Sequence, residues 1–334
     1  MPFDLAFIWA GLIAFAVLAY VVLDGFDLGV GILFPFMVGE EGKDLAMNTV
    51  APVWDGNETW LVLGGGGLLA VFPLAYAVVM PALYAPIIVM LLALVFRGVA
   101  FEFRWRTRRG KFVWDISFFG GSLLAAFAQG VALGALVQGI AVADRAYAGG
   151  NWDWLTPFSI LTGVALVVGY ALLGATWLVM KTEGYVRTRA ERFAWITGPA
   201  TLVLIGVVSL ITPFLDPRYL DRWFDMPNLL FTVWVPILLV VAALAFVKGL
   251  REGRDTWPFL AALAMFALSF VGIGISFYPY MVPPSLTIWD AAAPDESLWF
   301  LMVGAIVLVP LILLYTGYAY WVFRGKVDPS QGYH

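Results

Sequence analysis

The chain has 334 residues, of which 62% are hydrophobic and only 13% charged, and its mean hydropathy is +0.89. This composition is typical of a membrane protein with several spans and excludes an ordinary soluble domain. The absence of cysteine excludes disulfides, zinc–thiolate sites and iron–sulfur clusters. The net charge is only −4, and no basic patch interleaved with aromatic residues indicates a nucleic acid partner.

Long apolar segments recur along the chain and predict an all-α integral membrane protein, a single polytopic domain over residues 1–334. Each segment can cross about 30 Å of hydrocarbon as a helix. The first lacks a positive n-region and a cleavage site, so we expect a retained span, either tilted, kinked near Gly25 or Gly29, or extending past the bilayer. The nine predicted spans are residues 5–38, 45–72, 75–103, 112–142, 155–181, 193–214, 229–248, 257–280 and 298–323.

The basic residues predict the orientation of these spans. Most of the 19 Lys and Arg residues fall in the segments that are cytoplasmic if the N-terminus is outside. Only Arg145, Arg218 and Arg222 fall in the opposite loops, and Arg97 falls within a span. Positive charge favours the cytoplasmic side, so the N-terminus is expected to be periplasmic and the C-terminus cytoplasmic.

Two pairs of carboxylates lie inside apolar segments. Asp24 and Asp27 belong to the first span, and Asp55 and Glu58 belong to the second. Each pair has i,i+3 spacing, so its members share one helix face. An ionisable group at membrane depth costs at least about 2.5–3.5 kcal/mol on insertion scales, and it usually pairs, lines a water path or carries protons.

Arg97 is the one basic residue placed well inside a span, and its spacing sets it level with the acids. Asp27, Asp55 and Arg97 are expected about 10–17 Å from the cytoplasmic ends of their helices. One reading is a structural ion pair between Asp27 and Arg97. Because one base cannot neutralise all the acids, at least one carboxylate is expected to bind a proton near neutral pH. Asp55, Glu58 and Asp24 are therefore predicted to form a proton pathway.

Other residues in the spans have simpler interpretations. Gly64–Gly67 favour close helix approach through small residues, with a hinge or a cofactor's close approach as the alternative. Gln129 and Gln138 are expected to hydrogen-bond between helices. An interfacial belt is predicted from four aromatic residues of the last span, namely Tyr315, Tyr318, Tyr320 and Trp321.

The residues that bind redox centres are missing from the predicted spans. The sole histidine is His334, the last residue, and membrane haems generally use histidine ligands. The methionines show no paired spacing, and no Walker or Rossmann glycine pattern is present. We therefore expect no catalytic residue, metal site or haem ligand in this chain.

Several separate motifs, in order along nearly the whole chain, resemble subunit II of cytochrome bd-type quinol oxidases. They are Asp24-Gly25-Phe26-Asp27-Leu28-Gly29-Val30-Gly31, Ala51-Pro52-Val53-Trp54-Asp55-Gly56-Asn57, Phe96-Arg97-Gly98-Val99, Phe101-Glu102-Phe103-Arg104, Ser285-Leu286-Thr287-Ile288-Trp289-Asp290, Leu308-Val309-Pro310 and Leu313-Leu314-Tyr315-Thr316.

The resemblance implies a heterodimer in a bacterial cytoplasmic (inner) membrane. The partner, subunit I, would carry two haems b and the haem d, oxidise quinol and reduce O2 to water. This chain would share its fold of two four-helix bundles plus one peripheral helix. It would supply part of a proton route from the cytoplasm, in which Asp55 is the assigned acid, while Asp27 and Arg97 match the family's buried acid and base.

The resemblance leaves some features open. Gly64–Gly67 and Glu58 are closer to the cyanide-insensitive branch of the family. Some members hold a structural quinone in this subunit or add a small single-helix accessory subunit. The sequence does not locate that quinone, identify the quinone type or show an accessory subunit.

Two other functions remain as alternatives. In a proton- or cation-coupled secondary transporter, the paired acids would bind the ion and the glycines would gate a broken helix. The sequence favours the oxidase subunit, because embedded charge is confined to the first three spans and has no counterpart in a second repeat. In a purely structural scaffold, neutralising Asp55 would leave oxygen reduction intact.

Overall fold

The computed structural model describes residues 4–327 and shows a membrane protein built mainly of α-helices. The long helices are α1 (Leu5–Leu33), α3 (Trp54–Val71), α5 (Tyr84–Arg106), α6 (Lys111–Gln138), α7 (Pro157–Lys181), α8 (Gly184–Ile211), α11 (Trp234–Arg251), α12 (Trp257–Phe277) and α14 (Asp295–Val322). The shorter ones are α2 (Gly39–Asn48), α4 (Pro73–Ala82), α9 (Pro217–Phe224), α10 (Leu229–Thr232) and α13 (Ile288–Ala291), with 3-10 turns at Phe34–Phe36 and Thr212–Phe214.

Eight helical segments between residues 4 and 327 are long and apolar enough to cross a membrane, and α3 with α4 makes up to nine. These two helices meet at 120°, so they form either one broken span or a span with a re-entrant turn. Pro73 stands at the first position of α4, where its missing N–H costs nothing and its fixed φ starts a new helix. The helix therefore breaks at Phe72, although α3 and α4 together form one apolar segment.

The predicted spans 45–72 and 75–103 differ most from the structure. Residues 45–48 belong to the polar helix α2, and residues 49–53 form turns that contain Pro52. The second long helix therefore begins only at Trp54, and the third begins at Tyr84 after the break at Leu83. As a consequence, Asp55 lies in the first turn of α3 and not several turns inside a helix.

The remaining boundaries shift less, and two short β-hairpins join the helices. The first helix runs unbroken through Gly25 and Gly29 and ends at Leu33. The sixth span starts earlier than predicted, at Gly184, and the fourth ends at Gln138. The hairpins pair β1 (Val142–Ala143) with β2 (Ala146–Tyr147), and β3 (Tyr280–Val282) with β4 (Leu286–Thr287).

Helix α1 is central to the packing and contacts α3, α6 and α7 extensively. Its second half is buried at every residue from Asp24 to Leu33. The backbones of α1 and α7 meet at two glycines: a Cβ added to Gly29 would lie 1.9 Å from the Tyr170 carbonyl oxygen, and one added to Gly174 would lie 2.2 Å from the Gly29 carbonyl carbon. Only glycine allows this approach, which holds the acidic half of α1 in the protein interior.

Candidate functional site

The centre of the site is an ion pair between α5 and α1. Arg97 Nη1 lies 2.7 Å from Asp24 Oδ1, and Arg97 Nη2 lies 4.0 Å from Asp27 Oδ2. All three side chains are completely buried. The predicted partner of Arg97 was Asp27 alone, whereas the distances place Arg97 between both acids and nearer to Asp24. One base therefore faces two carboxylates on adjacent turns of α1.

Aromatic rings cover Arg97 on one side. Its guanidinium carbon lies 6.0 Å from the ring centroids of Trp54 and Phe101, which stack on each other at 4.7 Å. A cation over an aromatic face is attracted by the ring quadrupole, and more strongly so when water is excluded. Trp54, the first residue of the Trp-Asp-Gly-Asn motif, therefore contacts the buried Arg97.

Asn57 joins three helices at the site. Its Nδ2 donates a hydrogen bond of 2.7 Å to Asp27 Oδ2, and its Oδ1 accepts one of 2.8 Å from the Tyr320 hydroxyl of α14. Sequence reasoning did not single out Asn57, and its assignment of Tyr320 to an interfacial belt is wrong. Tyr315, Tyr318 and Trp321 are exposed on α14, as a belt requires. Since a helix has 3.6 residues per turn, Tyr320 faces away from Tyr318, two residues before it. This spacing was the available signal in the sequence.

Glu58 lies at the edge of the buried acids and Asp55 lies outside them. The Glu58 carboxylate is partly buried, and it interacts electrostatically with Arg97, Asp24 and Asp55. Asp55 is exposed on the surface of this chain. The three predicted pathway residues therefore differ in burial: Asp55 is exposed, Glu58 is partly buried and Asp24 is fully buried.

Several buried carboxylate oxygens in this region have no hydrogen-bond partner within the described part of the chain. They are Asp27 Oδ1, Glu58 Oε2 and both oxygens of Asp24, of which Oδ1 forms the ion pair with Arg97. Buried polar atoms are usually hydrogen-bonded, and an exception needs a physical reason. A site that exchanges protons or admits water provides such a reason.

Two glutamines of α6 make polar contacts with other parts of the membrane domain. The Gln129 amide donates to the Tyr20 hydroxyl at 2.7 Å, and its carbonyl accepts from the Tyr170 hydroxyl at 2.8 Å. The Gln138 carbonyl accepts from Thr156 at 2.5 Å. The expectation that both glutamines bond between helices is confirmed.

A second charged cluster lies two turns along α5 from Arg97. Arg104 is fully buried and contacts carboxylates of α2 and α6: Asp115 at 2.6 Å, Asp44 at 2.5 Å and Glu40 at 3.1 Å. Lys43 contacts Asp115 as well, at 2.6 Å. Lys111, which lies 3.4 Å from Glu40, brings the cluster to three bases and three acids, and this balance distinguishes it from the acid-rich group around Arg97. The cluster ties α2 to the ends of α5 and α6.

The described residues do not fit a haem. Residues 4–327 contain no histidine, no cysteine and no group of three or more potential His, Cys, Asp or Glu metal ligands. His334 lies outside the described residues. Two of the cavities among these residues have volumes of about 280 and 240 Å³, whereas a ligand of drug size usually occupies about 300–1,000 Å³. No chemical step is therefore derived through a haem in this chain.

Comparisons with known proteins agree with the motifs of the acid-rich group. Residues 5–323 match the family described as cytochrome bd terminal oxidase subunit II. The chain is 32% identical over 364 residues to cytochrome bd-I ubiquinol oxidase subunit 2 of Escherichia coli K12, covering 98% of this chain and 96% of the relative. It is 30% identical over 334 residues to cytochrome bd ubiquinol oxidase subunit 2 of Bacillus subtilis 168, covering 97% of each.

A solved structure shows the same fold. The bd oxidase from Geobacillus thermodenitrificans matches with a TM-score of 0.75 at 18% identity, over 96% of this chain and 99% of the other. The bacterial relatives and the apolar helices together indicate a bacterial inner-membrane protein. The predicted resemblance is thus confirmed, and the chain belongs to the cytochrome bd terminal oxidase subunit II family, as a subunit of a haem-containing respiratory quinol oxidase.

Proposed function

We propose that this chain is the haem-free subunit of a bd-type quinol:O2 oxidoreductase and supplies a proton route from the cytoplasm for the reduction of O2 to water. The observation that carries the proposal is the graded burial of Asp55, Glu58 and Asp24, and among residues 4–327 Arg97 is the one buried base beside them. A carboxylate without its own counter-charge in a low-dielectric site is stabilised by binding a proton. Such a group can pass protons on when a neighbour takes them up.

The partner would be the haem-bearing subunit I, with two haems b, the haem d and the quinol site. The names of the relatives identify them as subunit 2 of their oxidases. The poor fit of the described residues to a haem supports placing the haems on the partner.

One face of α3 supports a contact with that partner. Val62 and Gly66 are exposed like Asp55 and follow it by seven and eleven residues, so the three share a face of the helix. This face combines a carboxylate with small and apolar residues, and facing lipid would be costly for Asp55. Covering the face with a second subunit would shield Asp55 and bring the proton route to the subunit boundary.

The helix contacts support the family's arrangement of two bundles and a peripheral helix. Helices α1, α3, α5 and α6 would form one bundle, and α7, α8, α11 and α12 the other. Helix α14 makes few contacts within the chain, and most of its length is exposed. The distribution of basic residues supports a periplasmic N-terminus and a cytoplasmic C-terminus.

In the proposed route Asp55 takes up the proton at the α3 face, and Glu58 receives it one turn further along the same helix. Asp24 and Asp27 hold the inner end, where Arg97 limits their negative charge and Asn57 orients Asp27. The protein residues thus bind, orient and release protons, while the redox chemistry belongs to the partner.

Two experiments test the proposal. Purification of the complex should yield a histidine-containing haem subunit together with this chain and the absorbance of haem d. In that complex, Asp55→Asn should slow oxygen consumption several-fold while haem content stays near that of the wild type. Glu102→Gln is a matched control, because Glu102 is a 64% exposed carboxylate elsewhere on the membrane helices. Unchanged turnover in Asp55→Asn would remove this residue from the route.

A further inference from the structure

A polar cavity of about 280 Å³ lies at the opposite end of the molecule from the Arg104 cluster, where α9, α12 and β3 meet. Its lining includes Arg218, Arg222, Asp221, Asn228, Tyr278 and Tyr280. Neither the acid-rich group nor the proposed proton route uses any of these residues. The cavity is therefore a separate feature that needs its own explanation.

The two arginines of the cavity differ in their partners. Arg218 forms an ion pair with Asp216, donates to the Pro284 carbonyl oxygen at 3.3 Å and lies over the Tyr280 ring. Arg222 has a ring contact only, with its guanidinium carbon 5.9 Å from the Tyr278 centroid. Among residues 4–327 it has neither a carboxylate partner nor a hydrogen-bond acceptor. A half-buried guanidinium with free N–H donors is suited to a phosphate group.

Asp221 provides the complementary charge. Its side chain is exposed at the cavity, and the described residues offer it no basic partner within 4.0 Å, Arg222 included. The cavity therefore presents an unpaired cation and an unpaired anion side by side. A zwitterionic ligand with a phosphate and an ammonium group would match both charges, whereas a simple anion would match only one.

The chain segment that supplies Asp221, Arg222 and Asn228 to the cavity also carries exposed apolar side chains, which indicate where such a ligand would come from. Phe224, Met226 and Phe231 are 59%, 70% and 71% exposed, and they lie on α9, α10 and the segment between them. Trp223 is fixed beside them by a hydrogen bond to Ser276 at 2.8 Å. Exposed aromatic and apolar side chains next to charged ones are typical of the boundary between hydrocarbon and headgroups. Exposed apolar side chains of this kind suit contact with the acyl chains of a membrane lipid.

We propose that this cavity binds the headgroup of an ethanolamine phospholipid, with the phosphate on Arg222 and the ammonium group on Asp221. Asn228 has a free side-chain amide among the described residues and adds a further donor at the cavity wall. The same phosphate chemistry would also suit inorganic phosphate, but the exposed apolar residues of the same segment and the unpaired Asp221 favour the lipid. The site would anchor the α9–α10 segment at the membrane surface.

The test uses the purified oxidase complex in detergent and an ethanolamine phospholipid with a photoreactive group near its glycerol. Cross-links mapped by peptide mass spectrometry should concentrate in residues 217–232 and 276–284. Arg222→Gln should lower their yield at limiting lipid about tenfold, the loss expected for a charged hydrogen-bond partner. Arg145→Gln, which removes an arginine from the β1–β2 hairpin, should leave the yield unchanged.

Three results would overturn the proposal. Cross-links spread evenly over the helices and insensitive to Arg222→Gln would show only general lipid contact. Suppression by millimolar inorganic phosphate would identify free phosphate as the ligand. Asp221→Asn should abolish the preference for phospholipids with an ethanolamine headgroup over those with a glycerol headgroup. A retained preference would also count against the assignment. The haem spectrum of each variant shows whether the complex is assembled. If Arg222→Gln does not assemble, Asp221→Asn still tests the proposal.

Discussion

The Arg97 guanidinium lies 2.7 Å from the Asp24 carboxylate, and neither side chain has any exposed surface. Asp27 lies 4.0 Å from the same guanidinium on the next turn of α1. Taking these charges out of water costs several kcal/mol per ion, and their mutual attraction offsets the cost only while all partners are present. Arg97 therefore determines whether the acidic half of α1 can remain buried.

Removing the base should prevent normal assembly. Arg97→Gln leaves two buried carboxylates without a counter-charge, a change that typically costs about 3–5 kcal/mol. We expect a low yield of assembled oxidase and a lower unfolding temperature, measured by haem content and thermal denaturation. Arg106→Gln on the same helix is the control, because its side chain is 81% exposed and pairs only with Glu102. A fully loaded complex of normal stability from Arg97→Gln would contradict the importance of the ion pair.

The hydrogen bonds of Asn57 should contribute measurably to stability. Asn57→Ala leaves the buried Asp27 oxygen and the Tyr320 hydroxyl without a partner, and each such loss costs about 1–3 kcal/mol. Tyr320→Phe leaves only one buried atom, Asn57 Oδ1, without this partner, so it should incur that cost of about 1–3 kcal/mol once rather than twice. Thermal denaturation of the complex should place the variants in that order. Tyr318→Phe, on the exposed side of α14, should have no effect, and an equal absence of effect in Tyr320→Phe would show that its bond adds nothing.

The close approach of α1 and α7 should not tolerate a methyl group. In Gly174→Ala the new Cβ would lie 2.2 Å from a backbone atom of α1, so the helices must separate. Overpacking of this kind typically costs about 1–3 kcal/mol or more, and we expect reduced expression of the assembled complex. Gly206→Ala in α8 meets no atom within 4 Å and should be neutral. Normal expression of Gly174→Ala would mean that the backbone contact is looser than observed.

Hydropathy alone located most of the membrane helices, because each crossing requires about 20 apolar residues. The predicted boundary between residues 72 and 75 coincides with the bend between α3 and α4, but hydropathy did not locate the second break, at Leu83, which separates α4 from α5. Nor did it separate α2 from α3. The charged residues of α2 and Pro52 were the signals that could have divided the predicted span 45–72.

The sequence predicted which charged residues lie together at the site, but not which of them form pairs. Asp24 and Asp27 share a helix face, so spacing alone could not show which of them Arg97 approaches more closely. The role of Tyr320 depends on how α14 packs against α3, which only the tertiary structure shows. The Asp55, Glu58 and Asp24 proton route remains a prediction that the variants above test.

Outside the membrane, Asp255 ties the loop between α11 and α12 to two other segments. It contacts Lys326 at 2.9 Å, beyond the end of α14, and Arg187 of α8 at 2.9 Å. Burial alone would raise the pKa of Asp255, but hydrogen bonds from Lys326 and Arg187 outweigh that effect and lower it. Folding therefore favours the ionised carboxylate of Asp255.

The stabilisation by Asp255 should consequently depend on pH in a defined direction. It is fully present above the unfolded-state pKa, about 3.9, and is lost as the pH falls through the lower folded-state pKa. Because the side chain is 37% exposed, we expect Asp255→Asn to cost no more than about 1 kcal/mol at pH 7. The difference from the wild type in thermal denaturation should shrink below about pH 4 and in high salt, which screens surface charges. A difference that is the same at every pH and salt concentration would assign the effect to packing rather than to charge.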